Sequence, residues 1–261
     1  MMMPIFLLRS ILPLALLFGL TGVADAVALT PQYAGNFLNG DGVNSQWVQV
    51  SSNWVGATSG AGTGIRSLAD QAAIMGLHAG DANVVQTLSR RVDQINFADQ
   101  VFINTWGASW GTPPLAPIFH NVAGENQDDW ASRFTGYLSV TTPGNYNLGV
   151  LYDDGFRFSL SGANGQTVSI QKDGLNPRDR LGFNENLQLT PGLYAFQLDA
   201  YEHLEAGVIQ LGWWTPTADF AVIGKQNLYS SAPTSPVPEP SMLFTLLSGL
   251  ALTVWRTLKR N

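Results

Sequence analysis

Gly144-Asn145-Tyr146-Asn147-Leu148-Gly149-Val150-Leu151-Tyr152-Asp153-Asp154-Gly155-Phe156-Arg157-Phe158-Ser159-Leu160 reads as two strands joined at an acidic tip. Tyr146, Leu148, Val150 and Tyr152 fall on every second residue, and Phe156, Phe158 and Leu160 do so again beyond Gly155. That period belongs to strands, whose side chains alternate between two faces. Tyr194, Phe196, Leu198 and Ala200 repeat it, as do Ile209, Leu211 and Trp213. Strands spaced this closely, with few helical patterns between them, predict an all-β fold, an antiparallel β-sandwich. Thr142-Pro143-Gly144-Asn145-Tyr146 is echoed by Thr190-Pro191-Gly192-Leu193-Tyr194. In each, proline fixes φ and glycine supplies a positive φ at a turn that feeds a strand, so the two strands enter from one end of the sandwich.

Working outward, Tyr33 to Val50 and Gln86 to Ile103 are strand-rich, with glycine-rich loops between, and residues 56–64 form a surface loop. Ser67-Leu68-Ala69-Asp70 opens a short helix, Ser67 as its cap, running to about Leu77 before Gly80. The expected organisation is residues 1–26 as a signal peptide and 27–92 as an N-terminal strand- and loop-rich extension of the sandwich. The sandwich proper follows over 93–229, then a Pro/Ser linker over 230–237 and a sorting segment over 238–261.

The ends carry the address. Arg9, then the apolar run Ile11 to Leu20, then the small residues Ala24 and Ala26 have the order of a secretory signal peptide, cut by signal peptidase so that the mature chain starts near Val27. At the other end Pro238-Glu239-Pro240-Ser241 precedes an apolar run from Met242 to Trp255 and the bases Arg256, Lys259 and Arg260. The run is shorter than the about 20 apolar residues of a membrane span, so it makes a transient membrane handle, its basic end held on the cytoplasmic side. This tail resembles the PEP-CTERM sorting signal. The resemblance implies an exosortase as partner, cleavage near Pro238-Glu239-Pro240, and a Gram-negative bacterium that makes exopolysaccharide. An ordinary C-terminal anchor is the alternative.

The chain has no cysteine, which excludes disulfides, thiolate nucleophiles and cysteine metal sites. Its formal net charge of −6 becomes more negative once Arg9, Arg256, Lys259 and Arg260 leave with the two ends. This argues against nucleic acid and anionic membrane surfaces and permits cation binding. No enzyme is expected. Gly107-Ala108-Ser109-Trp110-Gly111 matches a nucleophile elbow on paper, yet Pro113, Pro114 and Pro117 exclude the helix such an elbow needs. His78, His120 and His203 lie singly, without zinc-ligand spacing. Asp128-Asp129 reads as a solvated loop.

Five short motifs occur in order from Asp93 to Tyr229: Phe134-Thr135-Gly136-Tyr137, Pro143-Gly144-Asn145-Tyr146, Asp153-Asp154-Gly155, Pro191-Gly192-Leu193-Tyr194 with Tyr201-Glu202, and Leu211-Gly212-Trp213-Trp214. Together they resemble the protective-antigen-type β-sandwich of toxins, glycosidases and adhesins. In its lectin-like members paired aspartates, joined by a cis peptide, hold a calcium ion that also grips sugar hydroxyls; the resemblance puts Asp153 and Asp154 in that role. Adjacent carboxylates favour a cation on electrostatic grounds as well, whereas Asp and Gly are also what a plain tight turn uses. Both readings stand at this stage. Glu202 is the candidate third ligand, with Glu205 nearby, a departure from the Asn, Asp and carbonyl ligands of the family; Glu202 paired with Arg157 is the plainer alternative. Sugar binding also needs an exposed ring, and alternation turns one of Trp213 and Trp214 outward, making Trp214 the candidate contact beside Asp153 and Asp154. The expected function is thus a non-catalytic carbohydrate-binding module, calcium-dependent through its aspartates, at the cell surface or in the exopolysaccharide matrix of a biofilm. A structural matrix protein, or an accessory domain to an enzyme, is the alternative.

Overall fold

A computed structural model describes residues 26–56, 62–107, 116–117, 127–183 and 187–232. Both sorting segments lie outside them, apart from Ala26, as do Ser109 and His120. Among the described residues the chain forms two eight-stranded sheets, and no helix is long and apolar enough to cross a membrane.

The first sheet runs in the order Val27–Leu29, Leu187–Leu189, Gly144–Asp153, Val208–Thr215, Asn96–Ala98, Ala116–Pro117, with Asp179–Gly182 and Ala218–Val222 pairing alongside. The second runs Thr167–Lys172, Gly155–Ser161, Gly192–Glu202, Trp130–Val140, Val43–Val50, Val84–Val92, with Tyr33–Ala34 and Leu228–Tyr229 alongside. The pairing is antiparallel except for two parallel contacts, Val27–Leu29 on Leu187–Leu189 and Phe97 and Ala98 beside Ala116 and Pro117. Strands before Asp93 are therefore integral to both sheets, Val27–Leu29 to the first and Tyr33–Ala34, Val43–Val50 and Val84–Val92 to the second.

The alternation read from sequence is what fills the space between the sheets. Tyr146, Leu148, Val150 and Tyr152 meet Phe156, Phe158, Leu160, Tyr194, Phe196 and Leu198 in one buried cluster. Trp47 joins it, edge-on to Phe97 and Phe134 at 5.3 and 5.2 Å between centroids. Each such side chain, fully buried, contributes about 1.5–3 kcal/mol.

Both outer faces are partly covered as well. Over the second sheet lies the helix Leu68–Ile74, capped by Ser67, whose hydroxyl accepts from Asp70 N–H at 3.1 Å; it packs Leu68 and Ile74 with Val48, Val50 and Tyr201. Over the first lies a helix at Gln100–Thr105, where the sequence reads as strand to Ile103. Asp99 overrides the strand pattern by accepting Phe102 N–H at 2.7 Å, an N-cap that turns the chain and lays Phe102 on Leu151 and Val208.

The two Pro-Gly turns use one device. Gly144 and Gly192 have φ of 144° and 156°. Tyr146 and Tyr194 each return a hydroxyl to the carbonyl four residues back, Thr142 at 2.7 Å and Thr190 at 2.9 Å. One strand enters each sheet.

Candidate functional site

Asp153 ends a strand of the first sheet and Gly155 begins a strand of the second. The acidic tip is therefore not a hairpin turn, as the sequence suggests, but the corner where the chain crosses between sheets. Glycine is needed there because a Cβ on Gly155 would lie 2.5 Å from the Tyr201 ring. The peptide between Asp153 and Asp154 is cis, as the family resemblance implies.

Asp154 faces inward. Its two oxygens accept Asn176 N–H at 3.1 Å and His203 N–H at 2.8 Å, while its own N–H donates to Tyr201 O at 3.0 Å. One aspartate thus ties the 173–178 loop, the 203–207 loop and the crossover together. Burial raises its pKa to about 6 against these hydrogen bonds. Asp153 is pushed to about 8, first by burial and then by the Asp154 charge, with Arg178 pulling the other way. The Arg178 guanidinium lies 3.9 Å over the Trp106 ring.

Asp99, raised by burial to about 6, accepts Gly207 N–H and so fastens the 203–207 loop to the helix it caps. Glu202 is wholly buried; both its oxygens lack a hydrogen-bond partner, and burial followed by Asp128, Asp99, Asp154 and Asp129 drives its pKa well up. Gly207 closes over it, since a Cβ there would meet Glu202 Cγ at 2.7 Å and Trp130 at 2.8 Å. The Arg157 pairing is not made: that guanidinium donates to Gln171 at 3.1 Å. Glu205 stands outside with φ 73°, its N–H on Asp128 at 3.1 Å.

Asp129 corrects the sequence reading of a solvated loop. It is 1 % exposed, and its Oδ1 accepts Ile65 N–H at 3.0 Å and the His203 ring at 2.8 Å. Arg66 lies 3.3 Å from the other ring nitrogen of His203. Asp129 on one ring nitrogen and Arg66 on the other hold the His203 ring in a fixed orientation. A cleft of about 390 Å³ opens beside Asp128 and Asp129.

Six carboxylates, those of Asp99, Asp128, Asp129, Asp153, Asp154 and Glu202, thus feel one another at one end of the sandwich. Among the described residues no three acids or histidines are gathered closely enough to hold an ion by themselves. Of the residues singled out from sequence, Asp153, Asp154 and Glu202 share this end and Trp214 does not. Val208 pairs with Asp153 and Trp214 with Asn147, so roughly 20 Å of strand, six residues at about 3.3 Å each, lies between them. The expected single site with Trp214 beside the aspartates is therefore corrected: neighbouring antiparallel strands put their C-terminal ends at opposite ends of a sheet. Trp214 is the outward one, 39 % exposed, and Trp213 the buried one. Asp99, Asn176, Arg178 and His203 belong to the site without any signal in the sequence beyond their polarity.

The order of motifs along this end has a counterpart in a known family. Residues 121–213 match the PA14 domain. The PA14 segment spans the Asp153-Asp154 corner, Glu202 and His203. Among solved structures, the chain is similar to a PA14 sugar-binding domain from an RTX adhesin, at 17% identity and a TM-score of 0.45 over 74% of this chain and 99% of that one. The epithelial adhesin 6 A domain of Candida glabrata, in complex with Galb1-3GlcNAc, shows 12% identity and a TM-score of 0.47 over 79% and 93%. An anti-sigma factor domain-containing protein from Clostridium clariflavum gives 19% identity and a TM-score of 0.44; the chain covers 50% of that structure's length. No curated protein matches the chain.

Proposed function

We propose that the protein is an exported, non-catalytic carbohydrate-binding module whose acidic loop end is its binding site. The observation that carries the reading is the crowding of Asp153 and Asp154 with four further carboxylates at one corner, within the segment that matches the PA14 domain. Buried anions at such density call for a cation or for protons. The donor set suits calcium, which takes 6 to 8 oxygens, and Asp153 and Asp154 would hold it together with carbonyls, water and the ligand's hydroxyls. Bound there, calcium would supply positive charge for sugar oxygens. Glu202, sealed behind the corner, keeps a proton.

Arg178 favours a second reading, in which its guanidinium is the counter-charge of Asp153 and the corner serves structure alone. Calcium separates the two. An ion that binds only the folded state stabilises it by about 2.7 kcal/mol at a hundredfold excess over Kd. Calcium should raise the melting temperature of the wild type, and Asp153→Asn with Asp154→Asn should remove that gain while the fold persists. A glycan array read with and without chelator should lose its signal with the ion. A melting curve indifferent to calcium leaves the Arg178 reading.

The address belongs to the same proposal: signal peptidase acts after Ala26, an exosortase acts near Pro238-Glu239-Pro240, and the module resides at the surface or in the polysaccharide matrix of a Gram-negative cell.

A further inference from the structure

At the far end of the same sheet the outer face is shaped differently. The hairpin Val208–Thr215 to Ala218–Val222 folds Phe220 back onto Trp214, with ring centroids 4.6 Å apart at 52°. Both rings lie on bare backbone. A Cβ on Gly212 would meet Phe220 at 2.3 Å, and one on Gly149 would meet Trp214 at 3.2 Å. The glycines hold the rings low against the sheet and leave a cleft of about 180 Å³ lined by Asn147, Gly149, Arg180, Gly182, Trp214 and Phe220.

We infer that this cleft is a second carbohydrate subsite, one that takes a single pyranose ring and needs no divalent ion. The size decides the scale, since drug-sized pockets start at about 300 Å³ and this cleft is smaller. The half-open Trp214 face offers the apolar plane on which the C–H face of a sugar ring packs. Polar groups stand around it as a sugar requires. Asn147 lines the cleft with its Oδ1 buried and without a hydrogen-bond partner, and the soft χ2 of asparagine lets the amide turn to meet a hydroxyl. Arg180, 5.7 Å from the Phe220 centroid, adds guanidinium donors that suit paired hydroxyls or a ring carboxylate. A nucleobase would use the same plane, but the net charge of −6 repels the phosphates that come with it. The acidic corner and this cleft, roughly 20 Å apart on one sheet, would grip successive parts of one polysaccharide chain.

The test is a titration of the exported protein, in excess chelator, with hexamers of glucose, mannose, galactose and galacturonic acid, followed by tryptophan fluorescence and by saturation-transfer NMR. Chelator silences any calcium site, so failure here and failure of the acidic corner are read separately. At least one hexamer should bind, and Trp214→Ala should weaken it about tenfold, the size of one aromatic contact. Arg180→Met, at an exposed position that spares the fold, should weaken it too, and more for the galacturonate hexamer if the carboxylate is what the guanidinium reads. Asp153→Asn with Asp154→Asn should change nothing. Absence of binding by all four hexamers, or binding that both Trp214→Ala and Arg180→Met leave intact in proteins of unaltered melting temperature, overturns the subsite.

Discussion

At the scale of the residue, the acidic corner is a store of protons. Asp99 and Asp154, raised to about 6, and Asp153, raised to about 8, each bind a proton more tightly folded than unfolded. For such groups stability is fullest below the unfolded value of 3.8 and declines as pH climbs through the folded values, because over that window the native state holds more protons than the unfolded one. In chelator, the urea midpoint should therefore fall between about pH 4 and pH 8 and level off above, and calcium should restore it most at the alkaline end. Glu202 adds to the same slope, being raised well above 4.5. Glu202→Gln keeps the shape and drops the titration, so the variant should gain on the wild type as pH rises, and parallel pH profiles would show that the buried carboxyl is already satisfied. Little of this was legible beforehand. Asp153 and Asp154 stand out as neighbours in sequence, whereas Asp99 and Arg178 reach the corner only through the fold, from a helix cap and a loop that carry no motif.

At the scale of the element, alternation was the readable part, because burial on one face of a strand leaves a period of two that needs no knowledge of the partner. It placed Tyr146 to Tyr152 and Tyr194 to Ala200 correctly against the core. It could not say that Asp153 and Gly155 enter different sheets, since a hairpin and a crossover have the same local pattern. The distance of Trp214 from the aspartates follows from the antiparallel pairing of Val208–Thr215 with Gly144–Asp153, a pairing that alternation alone does not reveal. The repeated Pro-Gly turn was legible in its residues, and its strength is testable. Gly192→Ala would drive a Cβ to 2.4 Å from Pro31 and 2.5 Å from the Tyr33 carbonyl, while Gly165, at φ 74°, has open space around it. Both substitutions carry the cost of a positive φ, about 1 kcal/mol, and only the first adds overpacking of about 1–3 kcal/mol. Chemical denaturation should place Gly192→Ala clearly below Gly165→Ala; equal losses would mean that the turn relaxes around the methyl.

At the scale of the whole molecule, the sheets define where the chain can be cut. Val27, the first residue of the proposed mature form, already pairs in parallel with Leu187. At the other end Leu228 and Tyr229 pair with Leu138 and Tyr137, and Ser230 is fastened by its N–H and hydroxyl to Asp41, both at 2.8 Å. Asn44 donates to its carbonyl at 2.8 Å. Among the described residues the last one anchored in this way is thus Ser230, the first of the Pro/Ser linker, and Pro238-Glu239-Pro240 lies outside the described residues. Removal of both ends should leave the melting temperature of the domain unchanged to within a degree or so, because every described strand and the Ser230 anchor lie within residues 27–230. The intact mass of the exported protein should lack residues 1–26 and Met242 to Asn261. A mass that keeps the apolar run would mean that the tail is an anchor, and would place the acidic corner and the Trp214 cleft on a domain tethered to its own membrane rather than released toward the polysaccharide.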